Sequence, residues 1–240
     1  MIDLEPVLRD LVVANRILAN EKVVDAYGHV SVRNPNNPDR YYLSCSRSPE
    51  LVQRSDIMEF ELDGRSVDGD SRNPYLERFI HGATYELNPD VNAVVHSHAE
   101  EVLPFTITSQ PLLPVIHSAG LMGPKPPVWD IADRFGDTTL LVVNMEQGRD
   151  LAEALVSRRI VLMRGHGFAA TGRNLSEVVR VSVMLPRNAK ILTTALQFGG
   201  LKPLSEGEVA LREDMDPNHK AFYRAWEYWA KRAGCSEMLD

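Results

Sequence analysis

The spacing of apolar residues predicts helices that alternate with short strands. Residues 4–18 place leucine, valine and isoleucine three and four positions apart, as an amphipathic helix does, with Asp3 as its N-cap. In residues 26–33, apolar and polar side chains alternate, which is typical of strands. In residues 92–97, successive side chains would point to opposite faces of a sheet if the segment is a strand. The change of period along the chain indicates a mixed α/β protein.

Other segments extend the same pattern. Residues 110–130 are rich in proline and glycine and are expected to form loops around one short strand. An acidic link is expected to separate the last two helices. Further strands are predicted at residues 41–44, 57–62, 115–116, 139–143, 160–163 and 168–171, and helices at 76–87, 100–106, 148–156, 175–198 and 218–233. We therefore predict one α/β domain over residues 1–240, with a mainly antiparallel sheet between helices and a helical extension from about residue 205.

Composition excludes several classes of function. The net charge of -7 and the absence of a lysine-rich run argue against a nucleic-acid partner. No apolar stretch is long enough to span a bilayer, and the first residues lack the pattern of a signal peptide, so a cytoplasmic protein is expected. Cys45 and Cys235 are far apart in sequence, which disfavours a cysteine metal site.

Three histidines and one glutamate suggest a metal site. His96 and His98 are two positions apart on a predicted strand, so both side chains lie on one face. His166 stands between two glycines where another strand ends, and Glu77 lies near the start of the helix upstream. Three imidazoles with a nearby carboxylate are typical of a facial site with open positions.

Each of these residues also has a simpler explanation when taken alone. An isolated His-x-His pair more often lies in the core or on the surface without a ligand. A glutamate at a helix start is stabilised by the helix dipole, and that is sufficient reason for Glu77. His166 alone would be a turn histidine. The prediction of a metal site therefore depends on the motifs together.

In this order, the motifs resemble the class II aldolase/adducin family over roughly residues 5–200. The resemblance is carried by residues 28–33 (Gly-His-Val-Ser-Val-Arg), Glu77, residues 93–98 (Ala-Val-Val-His-Ser-His) and residues 164–167 (Arg-Gly-His-Gly). It implies an α/β/α sandwich, a ring-like homotetramer and one divalent cation per chain held by three histidines. Those ligands correspond here to His96, His98 and His166, and the acid/base carboxylate to Glu77.

The chain departs from the sugar-phosphate aldolases of that family. They carry asparagine in place of His29, a small hydroxyl-glycine turn in place of residues 46–48 (Ser-Arg-Ser), and a serine pair in place of residues 75–76 (Tyr-Leu). A phosphate site is thus mostly absent, and Arg47 offers a planar fork that suits a carboxylate. The stretches 46–52, 77–82 and 188–190 are most similar to the decarboxylase branch.

The resemblance implies a function that the residues alone do not. We expect a metal-dependent carbon–carbon lyase, a decarboxylase of a hydroxylated aromatic or heteroaromatic dicarboxylic acid or of its ring-cleavage product. The reaction would pass through an enolate-type anion stabilised by the metal, in the catabolism of aromatic compounds. A class II aldolase is the alternative, and a non-catalytic adducin-like module is disfavoured because the ligand positions are filled. Manganese, zinc, iron and cobalt all suit three imidazoles.

The remaining candidates concern the substrate, a small carboxylate. Arg47, with Ser46 and Ser48 beside it, is predicted to bind a substrate carboxylate, although a loop arginine exposed to solvent is the simpler interpretation. His29 could donate a proton or bind substrate, or be an ordinary strand histidine. Tyr223, in the last helix, is the candidate to reach a neighbouring subunit's site. His81 and His117 are assigned to the core or to positions behind the ligands.

Overall fold

The computed structural model describes residues 1–239 and is built around a seven-stranded sheet. Its strands are β1 (His29–Arg33), β2 (Arg40–Ser44), β3 (Ile57–Glu61), β4 (Ala93–Ser97), β5 (Val128–Trp129), β6 (Ile160–Met163) and β7 (Gly167–Gly172). They lie in the order β3-β2-β1-β4-β7-β6-β5, and every neighbouring pair except β5 with β6 is antiparallel. The predicted α/β class and the mainly antiparallel sheet are confirmed.

Helices cover both faces of the sheet. They are α1 (Leu4–Asn20), α2 (Arg78–Leu87), α3 (Ala132–Phe135), α4 (Met145–Leu155), α5 (Leu175–Phe198), α6 (Glu206–Glu213) and α7 (Lys220–Arg232). Asp3 caps α1 by accepting the Glu5 N–H, as the sequence predicted, and Asn174 caps α5 by accepting the Glu177 N–H. Helix α5 continues through Pro186. Within residues 1–239, none of these helices is long and apolar enough to cross a membrane.

Alternation along the central strands separates two apolar cores. On β1, Val30 and Val32 pack on the side of α1, α5 and α7, while His29 and Ser31 face α2. On β4, Val94 belongs to the core beside α2 and α4, and its neighbours in sequence belong to the other core. The α2 side of the sheet therefore carries the polar side chains that matter below.

Close backbone contact fixes α2 against α4. A Cβ added to Gly148 would lie 2.6 Å from the Phe79 carbonyl oxygen, so only glycine allows the two helices to approach this closely. Glu77 immediately precedes α2, and His81 is the fourth residue of that helix. The contact with α4 consequently sets the position of both side chains.

Two predicted strands are wrong for the same physical reason. Residues 139–143 form no strand, because the N–H groups of Val142 and Val143 donate to the side chains of Glu77 and Gln147 instead of to a neighbouring strand. At residues 115–116 the Val115 N–H donates to the Asn188 side chain. Side chains distant in sequence thus satisfy backbone groups that a strand would have paired.

Other differences are local. Residues 100–106 hold a short 3-10 turn, Leu103–Phe105, because Pro104 removes a helical N–H. The acidic link contains helix α6, which begins with a capping box formed by Ser205 and Glu208. Strand β5 was not predicted, since its two residues lie within a proline-rich stretch.

Candidate metal centre and substrate cleft

The structure brings the three predicted histidines together. His96 is on β4, His98 follows that strand, and His166 lies in the turn between β6 and β7. The Nε2 atom of His98 lies 2.9 Å from Nε2 of His96 and 3.1 Å from Nε2 of His166. Three ring nitrogens therefore converge on one point at the end of the sheet.

The pairing of β4 with β7 creates this convergence. Ser97 is opposite Phe168 in the register, so the end of β4 lies against the start of β7. A Cβ on Gly167 would be 2.0 Å from the Ser97 carbonyl oxygen, and Gly165 has a φ of +62°. The glycines on either side of His166 are thus required for the turn and for the close approach of the strands.

A hydrogen bond fixes which nitrogen of His96 enters the cluster. Its Nδ1 lies 3.0 Å from the Phe168 carbonyl oxygen, which can only accept, so Nδ1 carries the proton. Nε2 then presents a lone pair to His98 and His166. Where Nε2 of His98 and of His166 also lacks a proton, the three lone pairs repel one another unless a cation lies between them. Metal–nitrogen bonds of about 2.0–2.1 Å would place tetrahedral ligands roughly 3.3 Å apart, close to the separations here.

Glu77 completes the cluster. Its Oε2 lies 3.4 Å from Nε2 of His96 and 3.5 Å from Nε2 of His166, while Oε1 accepts the Val142 N–H at 3.0 Å. One ligand atom from each of these four side chains lies within 4.8 Å of the others. Three neutral imidazoles and a carboxylate fit a divalent cation, and this donor set suits zinc, manganese, iron or cobalt.

Protonation states agree with a cation site. Burial alone would raise the pKa of Glu77, but positive charge on the side of His96 and His166 that faces it outweighs burial and holds that pKa well below its usual range. A cation at the same point would supply this charge when the rings are neutral. Burial, followed by the neighbouring imidazoles, lowers the pKa of His98 to about 3. Near neutral pH the carboxylate is ionised and the His98 ring is neutral, which are the forms that bind a metal.

A cleft of about 410 Å³ opens beside the cluster. It is of the size that small ligands occupy. All the predicted substrate-binding residues line it, together with residues of the cluster. The lining includes Tyr27, His29, Ser46, Arg47, Ser48, Tyr75, Glu77, His98 and Leu141.

Arg47 lies on the wall of the cleft and forms an ion pair there. Its guanidinium is 3.4 Å from the carboxylate of Asp56, and its side chain is 41% exposed. The carbonyl of Arg47 accepts a hydrogen bond from the Tyr75 hydroxyl. Asp56 and Tyr75 thus hold the arginine in place and leave part of its surface open to the cleft.

His29 is between the cluster and the helix behind it. Its ring centroid lies 4.6 Å from that of Tyr75 and 5.2 Å from that of His96, and the residue is 4% exposed. Burial, together with the neighbouring imidazoles, lowers the pKa of His29 well below its ordinary value. The ring is therefore neutral near pH 7.

Tyr223 lies outside the cluster of its own chain. It is 60% exposed on α7 and lines a different cavity, with Trp226 and Asn218. Its proposed reach into a neighbouring subunit stays a prediction.

Sequence reasoning treated Tyr75 only as a replacement for a phosphate-site serine of the aldolases, and it gave Leu141 no place in the cleft. The position of Tyr75 two residues before Glu77 was a further signal that could have placed it in the cleft. Leu141 lies in the segment wrongly predicted as a strand, and nothing in the local pattern indicated its position.

Comparisons with known proteins agree with this geometry. The model of the family described as class II aldolase and adducin N-terminal domain matches residues 9–193. The decarboxylase tropJ of Talaromyces stipitatus is 34% identical over 246 residues, which cover 93% of this chain and 92% of that protein. The 3,4-dihydroxyphthalate decarboxylase of Arthrobacter keyseri is 25% identical and covers 85% of both chains.

Aldolases are also similar. The L-fuculose phosphate aldolase of Escherichia coli O6:H1 is 30% identical, covering 77% of this chain and 81% of that protein. A solved aldolase II superfamily protein from Pseudomonas syringae superposes with a TM-score of 0.80 at 19% identity, covering 99% of this chain and 96% of that one. At that identity the superposition supports the fold alone.

The convergence of the three Nε2 atoms predicts the effect of removing one. The purified protein should hold about one divalent cation per chain, and His98→Ala should lose most of it at the same free metal concentration. His117→Ala is the matched control, because His117 lies exposed in a 3-10 turn away from the cluster. Metal content after gel filtration measures the effect. Full occupancy in His98→Ala would show that the cation is held elsewhere.

Proposed function

This chain belongs to the class II aldolase and adducin family, and we propose that it is a divalent-metal-dependent decarboxylase of a hydroxylated aromatic or heteroaromatic dicarboxylic acid, or of a ring-cleavage product of one. One observation carries the proposal: the histidine and glutamate cluster opens into a cleft whose wall holds Arg47. The decarboxylases among the similar proteins support the same reaction, and one of them is named for an aromatic dicarboxylate.

The three histidines have one role in this proposal. His96, His98 and His166 hold the cation through Nε2, and the Phe168 carbonyl keeps His96 in the required tautomer. When bound there, a divalent cation supplies positive charge beside an oxygen adjacent to the bond that breaks. Zinc, manganese, iron and cobalt all remain candidates.

Glu77 moves the proton. As an ionised carboxylate it takes the proton of a substrate hydroxyl, so that electron density can flow into the ring or chain. Glu77 returns this proton to the carbon that carries the leaving carboxylate, which restores the Glu77 carboxylate. The bond to the leaving group then breaks, carbon dioxide departs, and the electron pair of that bond returns to the conjugated system and its oxygen. The hydrogen bond from the Val142 N–H holds Oε1 still and leaves Oε2 directed at the cluster.

Arg47 binds the second carboxylate of the substrate. Its planar fork can donate two parallel hydrogen bonds to a carboxylate, and Ser46 and Ser48 add hydroxyl groups on the same wall. The chain is acidic overall, with a net charge of -7, so a fixed arginine at the cleft gives local attraction for an anionic substrate.

A class II aldolase is the second candidate. The metal cluster would serve it equally well, and the similar fuculose phosphate aldolase gives it a specific basis. Against it, a phosphorylated sugar needs several cationic or N–H donors for a dianion, and the cleft lining offers one arginine. The non-catalytic adducin-like module is disfavoured by the complete set of candidate ligands.

We also propose a homotetramer in which α7 of one subunit meets the site of the next. The exposed face of α7 carries Tyr223, whereas Phe222, Trp226 and Trp229 are buried against α1 and α5. The buried residues pack α7 against its own chain, so the exposed Tyr223 side chain is available for contact with a neighbouring subunit.

Replacing Glu77 by glutamine removes the proton-transfer group but keeps its shape. Glu77→Gln should keep the fold and most of the metal and lose about a hundred- to ten-thousandfold in kcat. Glu86→Gln on the same helix is the control, since Glu86 pairs with Arg149 at the surface. Carbon dioxide release under single-turnover conditions measures the effect. Near wild-type turnover in Glu77→Gln would leave this residue only its place at the start of α2.

Removing Arg47 tests the substrate class. Arg47→Ala should raise KM for an aromatic dicarboxylate about ten- to hundredfold, because a charge-assisted pair contributes about 1.5–3 kcal/mol. Arg47→Lys should recover only part of this. Arg54→Ala, an exposed arginine paired with Glu5, is the control. Fast cleavage of sugar phosphates that is indifferent to Arg47 would favour the aldolase.

Assembly gives a further expected outcome. Sedimentation should show a homo-oligomer, and Tyr223→Ala should lower kcat without loss of metal if that side chain enters a neighbouring site. Tyr228→Ala is the control, because Tyr228 is 56% exposed on the same helix. These substitutions avoid the buried face of α7, so folding is preserved. A fully active monomer would contradict the proposed tetramer.

A further inference from the structure

A buried chain of hydrogen bonds leads away from the cleft behind His29. Nδ1 of His29 lies 2.6 Å from Nε2 of His81, and Nδ1 of His81 lies 2.6 Å from the Ser31 hydroxyl. The same hydroxyl lies 2.7 Å from that of Tyr85. The four residues, which we call the relay, are each at most 4% exposed. None of the steps assigned to Glu77 or Arg47 uses them.

The two elements supply the relay in matching pairs. His29 and Ser31 are two apart on β1 and therefore share the face directed at α2. His81 and Tyr85 are four apart on α2 and share the face directed at β1. The relay forms because the polar positions of the strand face the polar positions of the helix, and the four buried polar groups satisfy one another.

The direction of the hydrogen bonds follows from counting donors and acceptors. Within residues 1–239, Ser31 Oγ is the one side-chain acceptor in reach of the Tyr85 hydroxyl, and the nearby Val94 N–H cannot accept. Tyr85 therefore donates to Ser31. The Ser31 proton must then go to Nδ1 of His81, which places the His81 proton on Nε2.

The last link determines the tautomer of His29. Since Nε2 of His81 is a donor, Nδ1 of His29 must accept, and the proton of the neutral His29 ring is on Nε2. The reverse direction would leave the buried Tyr85 proton without an acceptor, which is unfavourable. Burial raises the pKa of Tyr85 and lowers that of His81 to about 3, so both groups are uncharged near neutral pH.

We propose that Tyr85, Ser31 and His81 are positioning residues that hold His29 as its Nε2–H tautomer, a hydrogen-bond donor to an anionic oxygen of the substrate. This assignment rests on the proposed function only for the identity of the substrate. With the opposite tautomer, His29 would present a lone pair to the cleft and repel a carboxylate or phenolate oxygen. Fixing the donor before substrate arrives avoids reorganisation during the reaction.

The tautomer can be measured without substrate. Long-range proton–nitrogen correlation spectra of the zinc-loaded protein, labelled with nitrogen-15 histidine, distinguish a protonated ring nitrogen from an unprotonated one. We expect Nε2 of His29 to be protonated in the wild type and Tyr85→Phe to give a mixture of the two tautomers. Tyr41→Phe is the matched control, because Tyr41 is equally buried but its hydroxyl donates to the Arg78 carbonyl.

The decarboxylase activity of the same variants provides the second test. Tyr85→Phe should lower kcat/KM by several-fold to about tenfold with metal content unchanged, whereas Tyr41→Phe should leave it near wild type. A wild-type His29 protonated on Nδ1, or a tautomer that does not change in Tyr85→Phe, would overturn the proposal. An Nε2–H tautomer in a protein that releases no carbon dioxide would support the relay and count against the decarboxylase function alone.

Discussion

The hydrogen bond from Nδ1 of His96 to the Phe168 carbonyl is the contact on which the site depends. It joins β4 to β7 through a side chain at the point where both strands reach the site. It also leaves Nε2 of His96 without a proton and directed at His98 and His166. One hydrogen bond thus joins the two strands and also orients the candidate metal ligand His96. A change in register between β4 and β7 would remove the Phe168 carbonyl from His96, and with it both effects.

Burying Glu77 beside this cluster is costly unless its charge is balanced. The carboxylate is 7% exposed, and its neighbours are imidazoles and the Val142 N–H. An unpaired buried carboxylate would be strongly destabilising, so a cation held by the same four side chains would offset the cost of burial. Close packing of α2 on α4 at Gly148 fixes the start of α2, where Glu77 lies. The cluster and the packing of the helices therefore support one another.

Much of the site could be predicted from sequence because the relevant signals are local. The spacing of His96 and His98 requires only that the segment be a strand, and the glycines around His166 require only a tight turn. The relay of His29, Ser31, His81 and Tyr85 could not be predicted, because it depends on how β1 faces α2. The errors at residues 115–116 and 139–143 have a similar origin, since their N–H groups bind side chains far away in sequence.

The most direct test of the account is the position of the metal itself. Crystals of the protein loaded with zinc or manganese would be measured at the absorption edge of that metal. We expect one anomalous peak per chain, about 2.0–2.2 Å from Nε2 of His96, His98 and His166, with a Glu77 oxygen at or just beyond that distance. A peak elsewhere in the molecule, or none at the cluster in metal-loaded and active protein, would contradict the central claim.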